Sequence, residues 1–189
     1  MNERSPRAVV IGASAGALEA LSVILPALPA DFRLPLIVVV HIPPDKKSVL
    51  AELFRAKCLI DVVEAEDKEP LRAGTAYFAP PDYHLLAEKD NTLSLSNEEP
   101  VLFSRPSVDV LFESAADAFG SGAIAIVLTG ANHDGSKGLE AIVKAGGVAL
   151  VQDPADAFAA AMPEGAIARC PGAKIMSLQA ITSYLQRIS

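Results

Sequence analysis

The chain has 189 residues, of which 51% are hydrophobic and 21% charged, with a formal net charge of -7. That length suits one domain with a full apolar core, and that composition excludes a disordered tail. The acidic balance and the lack of any Lys/Arg-rich run exclude non-specific nucleic-acid binding and a basic membrane-surface helix.

In chain order, residues 7–11 form a short β-branched run that reads as a buried strand. Leu18, Leu21, Ser22 and Leu25 follow at helical spacing, closed by Pro26 and Pro29. Residues 34–40 give a second buried strand, and Pro43 and Pro44 break the chain. Asp45 can then cap a helix over 46–57. Strands are expected over 59–63 and 75–79, with a turn at Pro80-Pro81-Asp82. Residues 83–88 and 92–96 flank Lys89-Asp90-Asn91 as an antiparallel hairpin. A helix opens at Arg105-Pro106-Ser107 and runs through Val110, Leu111, Ser114, Ala115 and Ala118. Residues 123–128 are the most uniformly apolar strand, and a polar loop over 129–138 leads to a helix over 139–145. A strand over 148–151 and a helix over 178–188 complete the pattern. This alternation predicts an α/β fold: a doubly wound, mostly parallel sheet with helices on both faces, plus the hairpin. No linker or repeat divides residues 1–189, so a single domain is expected. The N-terminus lacks the apolar core of a secretory signal, and no apolar stretch is long enough to span a bilayer. Cys58 and Cys170 have no metal-ligand spacing and suit a reducing compartment. A cytoplasmic protein without metal or cofactor is therefore expected.

Ligands of open parallel sheets bind beyond the carboxyl ends of the strands. Three polar segments occupy such places: Gly12-Ala13-Ser14-Ala15-Gly16, His41-Ile42-Pro43-Pro44, and Thr129-Gly130-Ala131-Asn132-His133-Asp134-Gly135. The topology thus brings a serine, a histidine and an aspartate toward one edge, the three parts of a hydrolytic triad. At Ser14 small residues permit a sharp turn, and the unpaired N–H groups of the following helix suit an anion or an oxyanion. Taken singly, each residue has a plainer role. Ser14 can cap its helix, His41 can be a satisfied histidine at a strand end, and Asp134 can shape a turn. Arg105 can line the site or pair with Asp109. His84 and His133 receive no role and are expected at the surface or on the hairpin face.

Together these segments resemble the catalytic domain of the CheB-type protein-glutamate methylesterase and glutaminase family. The resemblance extends through Glu64-Ala65-Glu66-Asp67, residues 74–80 and the run Arg105-Pro106-Ser107-Val108-Asp109-Val110-Leu111-Phe112, and ends at Gln152-Asp153 and Met162-Pro163. It implies Ser14 as nucleophile, His41 as general base and acid, and Asp134 as the carboxylate that orients His41. Ala15 and Ala131 would supply oxyanion N–H groups, while Arg105 and Ser107 would line or brace the site. The implied substrate is a glutamate γ-methyl ester on the cytoplasmic helices of a chemotaxis-type receptor, and deamidation of receptor glutamines is a second implied activity. The alternative is a non-catalytic anion- or nucleotide-binding or docking domain of the same fold, although no phosphate-loop or dinucleotide motif is present.

The chain departs from the family pattern at Ala15, Gly16 and Ala17, where threonine and two glycines usually follow the serine. Ala131 replaces a larger apolar residue and His133 a smaller one. Both changes bear on pocket shape more than on the reaction. No receiver module precedes Arg7, which leaves three readings open: the sequence is part of a longer protein, a separate regulatory receiver protein is its partner, or the site is constitutively open.

Overall fold

A computed structural model describes residues 7–42 and 48–188. The chain alternates strands and helices as β1 (Ala8–Ala13), α1 (Ala17–Ile24), β2 (Leu36–Val40), α2 (Leu50–Arg55), β3 (Asp61–Glu64) and β4 (Thr75–Phe78). The hairpin β5 (His84–Ala87) and β6 (Leu93–Ser96) follows, then α3 (Val108–Phe119), β7 (Ala123–Val127), α4 (Ser136–Lys144) and β8 (Val148–Gln152). The chain closes with α5 (Ala161–Arg169), β9 (Lys174–Met176) and α6 (Leu178–Arg187).

Seven strands form one parallel sheet in the order β3-β4-β2-β1-β7-β8-β9. Because β1 pairs with β2 on one side and β7 on the other, the strand order reverses there. The carboxyl ends of these three strands therefore flank the crevice where such sheets bind ligands. β1, β2 and β7 are buried along their whole length, which explains their unbroken apolar sequence. Each fully buried Val, Leu or Ile contributes roughly 1.5–3 kcal/mol, so the strands that carry the site are the best anchored in the fold.

Helices α3, α4 and α5, with the hairpin, cover one face through Val10, Val39, Val127, Phe112, Leu139 and Leu85. Helices α1, α2 and α6 cover the other through Ile11, Val38, Ile126, Leu21, Phe54 and Ile181. Along α3, Val108, Leu111, Phe112, Ala115, Ala116 and Phe119 turn one helical stripe inward. The hairpin is a separate two-stranded antiparallel sheet. Its Ala87 N–H donates to Ser114 Oγ on α3 at 3.0 Å, which satisfies an edge donor that the main sheet does not reach.

The expected strands and helices are present, with ends shifted by a few residues. Pro43, Pro44 and the expected cap at Asp45 lie outside the described residues, and the second helix is seen over Leu50–Arg55. Two elements were not anticipated. Helix α5 carries Pro163 and Gly165 among alanines, so its sequence has little helical stripe, and only Met162, Pro163 and Ala166 are buried. β9 has three residues, none of them buried, at the sheet edge. Cys58 is half-buried and Cys170 buried, and both are free thiols. Among the described residues, no helix is long and apolar enough to cross a membrane.

Candidate active site

Ser14 and His41 each stand one residue past a paired strand position, since Ala13 is in register with Val40. The His41 N–H donates to Ala13 O at 3.2 Å, and the Ser14 N–H donates to Thr129 O at 2.9 Å. The nucleophile turn is thus clamped between the ends of β2 and β7. Ser14 does not cap α1. Gly16 is the N-cap residue, with φ 84, and no side chain caps this helix. Glycine fits there because a left-handed residue is needed to turn from strand into helix. Among the described residues, the N–H groups of Ala15 and Ala131, the two expected oxyanion donors, meet no backbone acceptor. The N-terminus of α1 adds its positive end at Ser14.

His41 lies within reach of Asp134, 93 residues further along the chain: Nε2 is 2.7 Å from Oδ2. Its other nitrogen, Nδ1, is 2.9 Å from the Asn132 amide nitrogen. Among the described residues, the Ser14 hydroxyl makes no hydrogen bond to the imidazole. Nε2 thus faces the carboxylate and Nδ1 the Asn132 amide, so the ring meets its carboxylate through Nε2, the reverse of the chymotrypsin-type arrangement.

Asp134 is only 1% exposed and does far more than shape a turn. Besides His41, its carboxylate accepts from Ser107 Oγ at 2.9 Å, Val108 N at 2.6 Å and Asp109 N at 2.9 Å. The last two donors belong to the first turn of α3, so a helix N-terminus faces the negative charge. Burial acts to raise the pKa of Asp134, but the hydrogen bonds from His41, Asp109 and Val108 outweigh it and hold the pKa below the ordinary carboxylate value. Asp134 is therefore an anion at neutral pH.

Ser107 is fully buried and braces Asp134 while its Oγ also caps α3 through Val110 N at 3.5 Å. Its own N–H donates to His84 Nδ1 at 3.2 Å, and His84 Nε2 pairs with Glu99 O at 3.0 Å. His84 is thus on the hairpin but buried, with a hydrogen-bond partner at each ring nitrogen. His133 is exposed. Arg105 does not pair with Asp109. It binds Asp82 through Nε at 3.0 Å and the carbonyls of Asn97 and Glu98 at 2.9 and 3.0 Å. It thereby pins the loop before α3 and forms part of a cleft of about 330 Å3 with His41, Ile42, Phe103 and Pro106. The Asp109 carboxyl instead accepts from Gly138 N at 2.6 Å and ties α3 to α4. Burial first, then the charges of Asp134 and Glu113, push its pKa up to about 6 against the lowering effect of the Gly138 N–H.

A second cleft, of about 340 Å3, contains Ser14, Gly16, Leu18, Glu19 and Ile42. Ile42 belongs to both clefts, so the imidazole and the hydroxyl open on two lobes of one mouth. Phe103 is fully exposed beside the first lobe. Phe158, 81% exposed, stands over Gly16 beside the second. Sequence reasoning missed Asn132, His84 and Asp109 as parts of this network. Asn132 lies two residues before Asp134, but its partner His41 is 91 residues away, and no local pattern marks such a contact.

The chain has relatives over nearly its whole length. The family model for CheB methylesterase matches residues 9–185. A putative protein-glutamate methylesterase/protein-glutamine glutaminase of Leptospira interrogans is 45% identical over 181 residues, covering 96% of this chain and 94% of that protein. A protein-glutamate methylesterase/protein-glutamine glutaminase of a group 2 operon in Rhodospirillum centenum is 36% identical over 188 residues, and the chain spans 47% of its length. The crystal structure of the Thermotoga maritima CheB methylesterase catalytic domain superposes with a TM-score of 0.92 at 32% identity, covering 98% of this chain and all of that one. With matches of this extent in sequence and in backbone, the chain belongs to the CheB methylesterase family.

Proposed function

We propose that the chain is a serine carboxylesterase that hydrolyses glutamate γ-methyl esters on the cytoplasmic helices of chemotaxis-type receptors, with Ser14, His41 and Asp134 as its triad. One observation carries this reading. A buried carboxylate that accepts from three donors around the N-terminus of α3 is also bonded to the imidazole of His41, and His41 and Ser14 each follow directly on a paired position of β2 and β1. A purely structural aspartate has no need of a histidine at the edge of a cleft. The carboxylate of Glu19, in the cleft that contains Ser14, also disfavours a phosphate ligand, which is what the anion-binding alternative requires.

The Ser14 Oγ attacks the ester carbonyl while Nδ1 of His41 takes the hydroxyl proton. Asp134 stabilises the imidazolium through Nε2 without taking a proton. The tetrahedral oxyanion lies against the N–H groups of Ala15 and Ala131, each such donor being worth about 3–4 kcal/mol in the transition state. Collapse breaks the ester C–O bond, and His41 returns the proton to the methoxide to release methanol. Water then attacks the acyl-serine, giving its proton to His41; the acyl C–Oγ bond breaks, His41 returns the proton to Ser14 Oγ, and a free glutamate is left on the substrate. Glutamine deamidation follows the same path with ammonia as the leaving group. The exposed rings of Phe103 and Phe158 on either side of the mouth suit the apolar flank of a helical substrate.

The test is methanol release from methylated receptor by wild type and Ser14→Ala. The variant is expected to fold normally and to release no methanol above background. Turnover at a wild-type rate in Ser14→Ala would remove the nucleophile from the mechanism.

A further inference from the structure

We propose that Asn132 is a positioning residue that holds Nδ1 of His41 unprotonated and ready to act as the base; the proposal rests on the reading of His41 as the general base. The orientation of the amide is fixed from its far end. The Asp134 N–H donates to Asn132 Oδ1 at 3.0 Å, so that end is the carbonyl. The amide nitrogen therefore faces His41 Nδ1 at 2.9 Å, and an amide NH2 can only donate. Nδ1 must then present its lone pair, and the imidazole proton lies on Nε2, facing Asp134 Oδ2 at 2.7 Å. The ring is held at both nitrogens by groups two residues apart in one loop. Asp134 supplies the acceptor and Asn132 the donor.

Two consequences separate this role from simple bracing. Asn132 lies beside the lone pair that Ser14 must reach, so the amide yields Nδ1 as the hydroxyl takes its place. A carboxylate in place of the amide would keep the bond from Asp134 N–H but would accept, and not donate, at Nδ1. It would draw a proton onto that nitrogen and remove the base. Asp is nearly isosteric with Asn, so a role in shape alone predicts that Asn132→Asp is milder than Asn132→Ala. A role in proton placement predicts the opposite order.

The experiment measures kcat and KM for methanol release by wild type, Asn132→Ala and Asn132→Asp, together with the histidine 15N spectrum of each folded protein without substrate. The chain has three histidines, and the His41 signals are assigned by their loss in His41→Gln. Wild type is expected to show an unprotonated Nδ1 and a protonated Nε2. Asn132→Ala is expected to lose kcat on the order of tenfold at an almost unchanged KM, as the ring loses its second tether. Asn132→Asp is expected to show a protonated Nδ1 and a far lower kcat than Asn132→Ala. A protonated Nδ1 in wild type, or an Asn132→Asp enzyme at least as active as Asn132→Ala, would overturn the proposal. The spectra are read independently of turnover, so failure of the triad reading, seen as full activity in Ser14→Ala, stays distinct from failure of this one.

Discussion

The side chain of Val108 packs directly onto the bare Cα of Gly12. A Cβ at Gly12 would meet both Val108 methyl groups closer than real side chains ever approach. This contact between β1 and the first residue of α3 sets how near the helix N-terminus comes to the strand that precedes Ser14. It therefore sets where the Val108 and Asp109 N–H groups meet Asp134.

Gly12→Ala is expected to destabilise the fold by about 1–3 kcal/mol, the usual cost of overpacking a core. It should also lower kcat more than KM rises, because the displaced helix pulls its donors from the carboxylate. Urea unfolding and steady-state hydrolysis check the two parts separately.

Ser107→Ala removes a hydroxyl that donates to buried Asp134 and caps α3. A lost cap and a lost bond to a buried charge together cost about 1–3 kcal/mol. Activity should fall while the far-UV spectrum stays native, since the two backbone donors still hold the carboxylate in place. Thermal unfolding beside kcat/KM measures both effects.

The two neighbouring carboxylates give opposite pH dependences. The pKa of Asp134 is depressed on folding, so its stabilising contribution is present above the ordinary carboxylate range and is lost as pH falls through its lower folded value. The pKa of Asp109 is raised to about 6, so the native state binds more protons than the unfolded chain between the ordinary value and 6. Over that window Asp109 makes stability decline as pH rises. Asn at position 109 can still accept from Gly138 N without a charge. Asp109→Asn is therefore expected to be more stable than wild type at pH 7.5, by about 1–3 kcal/mol, with the gain vanishing near pH 4. Urea unfolding at both pH values decides this, and a constant difference would contradict it.

Arg105→Ala should barely change stability, because the Arg105–Asp82 pair is partly exposed and such pairs contribute about 0–1 kcal/mol. The same change frees the backbone at Asn97 and Glu98, just before Pro100, which lines the His41 cleft. KM is expected to rise several-fold with kcat nearly unchanged, measured on methylated receptor.

The parallel sheet was legible because its strands are apolar on both faces and separated by helical spacing. The same logic led from strand ends to Ser14, His41 and Asp134, since a parallel sheet delivers the ends of β1, β2 and β7 to one edge. Bracing was less legible. The family resemblance implied that Ser107 lines or braces the site, but that its hydroxyl does so by donating to Asp134 follows only from the approach of α3 to Gly12. Nor does the sequence separate Arg105–Asp82 from Arg105–Asp109, because the partner was set by the turn at residue 82, not by helical spacing. Helix α5 escaped notice for a simpler reason: a helix of small residues shows no stripe when it packs by close approach instead of by large side chains.

The clasp of β1 between β2 and β7 bears on the birth of the protein at the ribosome. β2 leaves the exit tunnel soon after β1, but β7 and the Asp134 loop follow only after the hairpin and α3 have been synthesised. With the triad proposed above, the growing chain is expected to be inert toward esters until β7 and the Asp134 loop have been made and docked. Ester hydrolysis is for this reason a stringent reporter of complete folding, and fragments that end before residue 134 should be silent even where their secondary structure has formed.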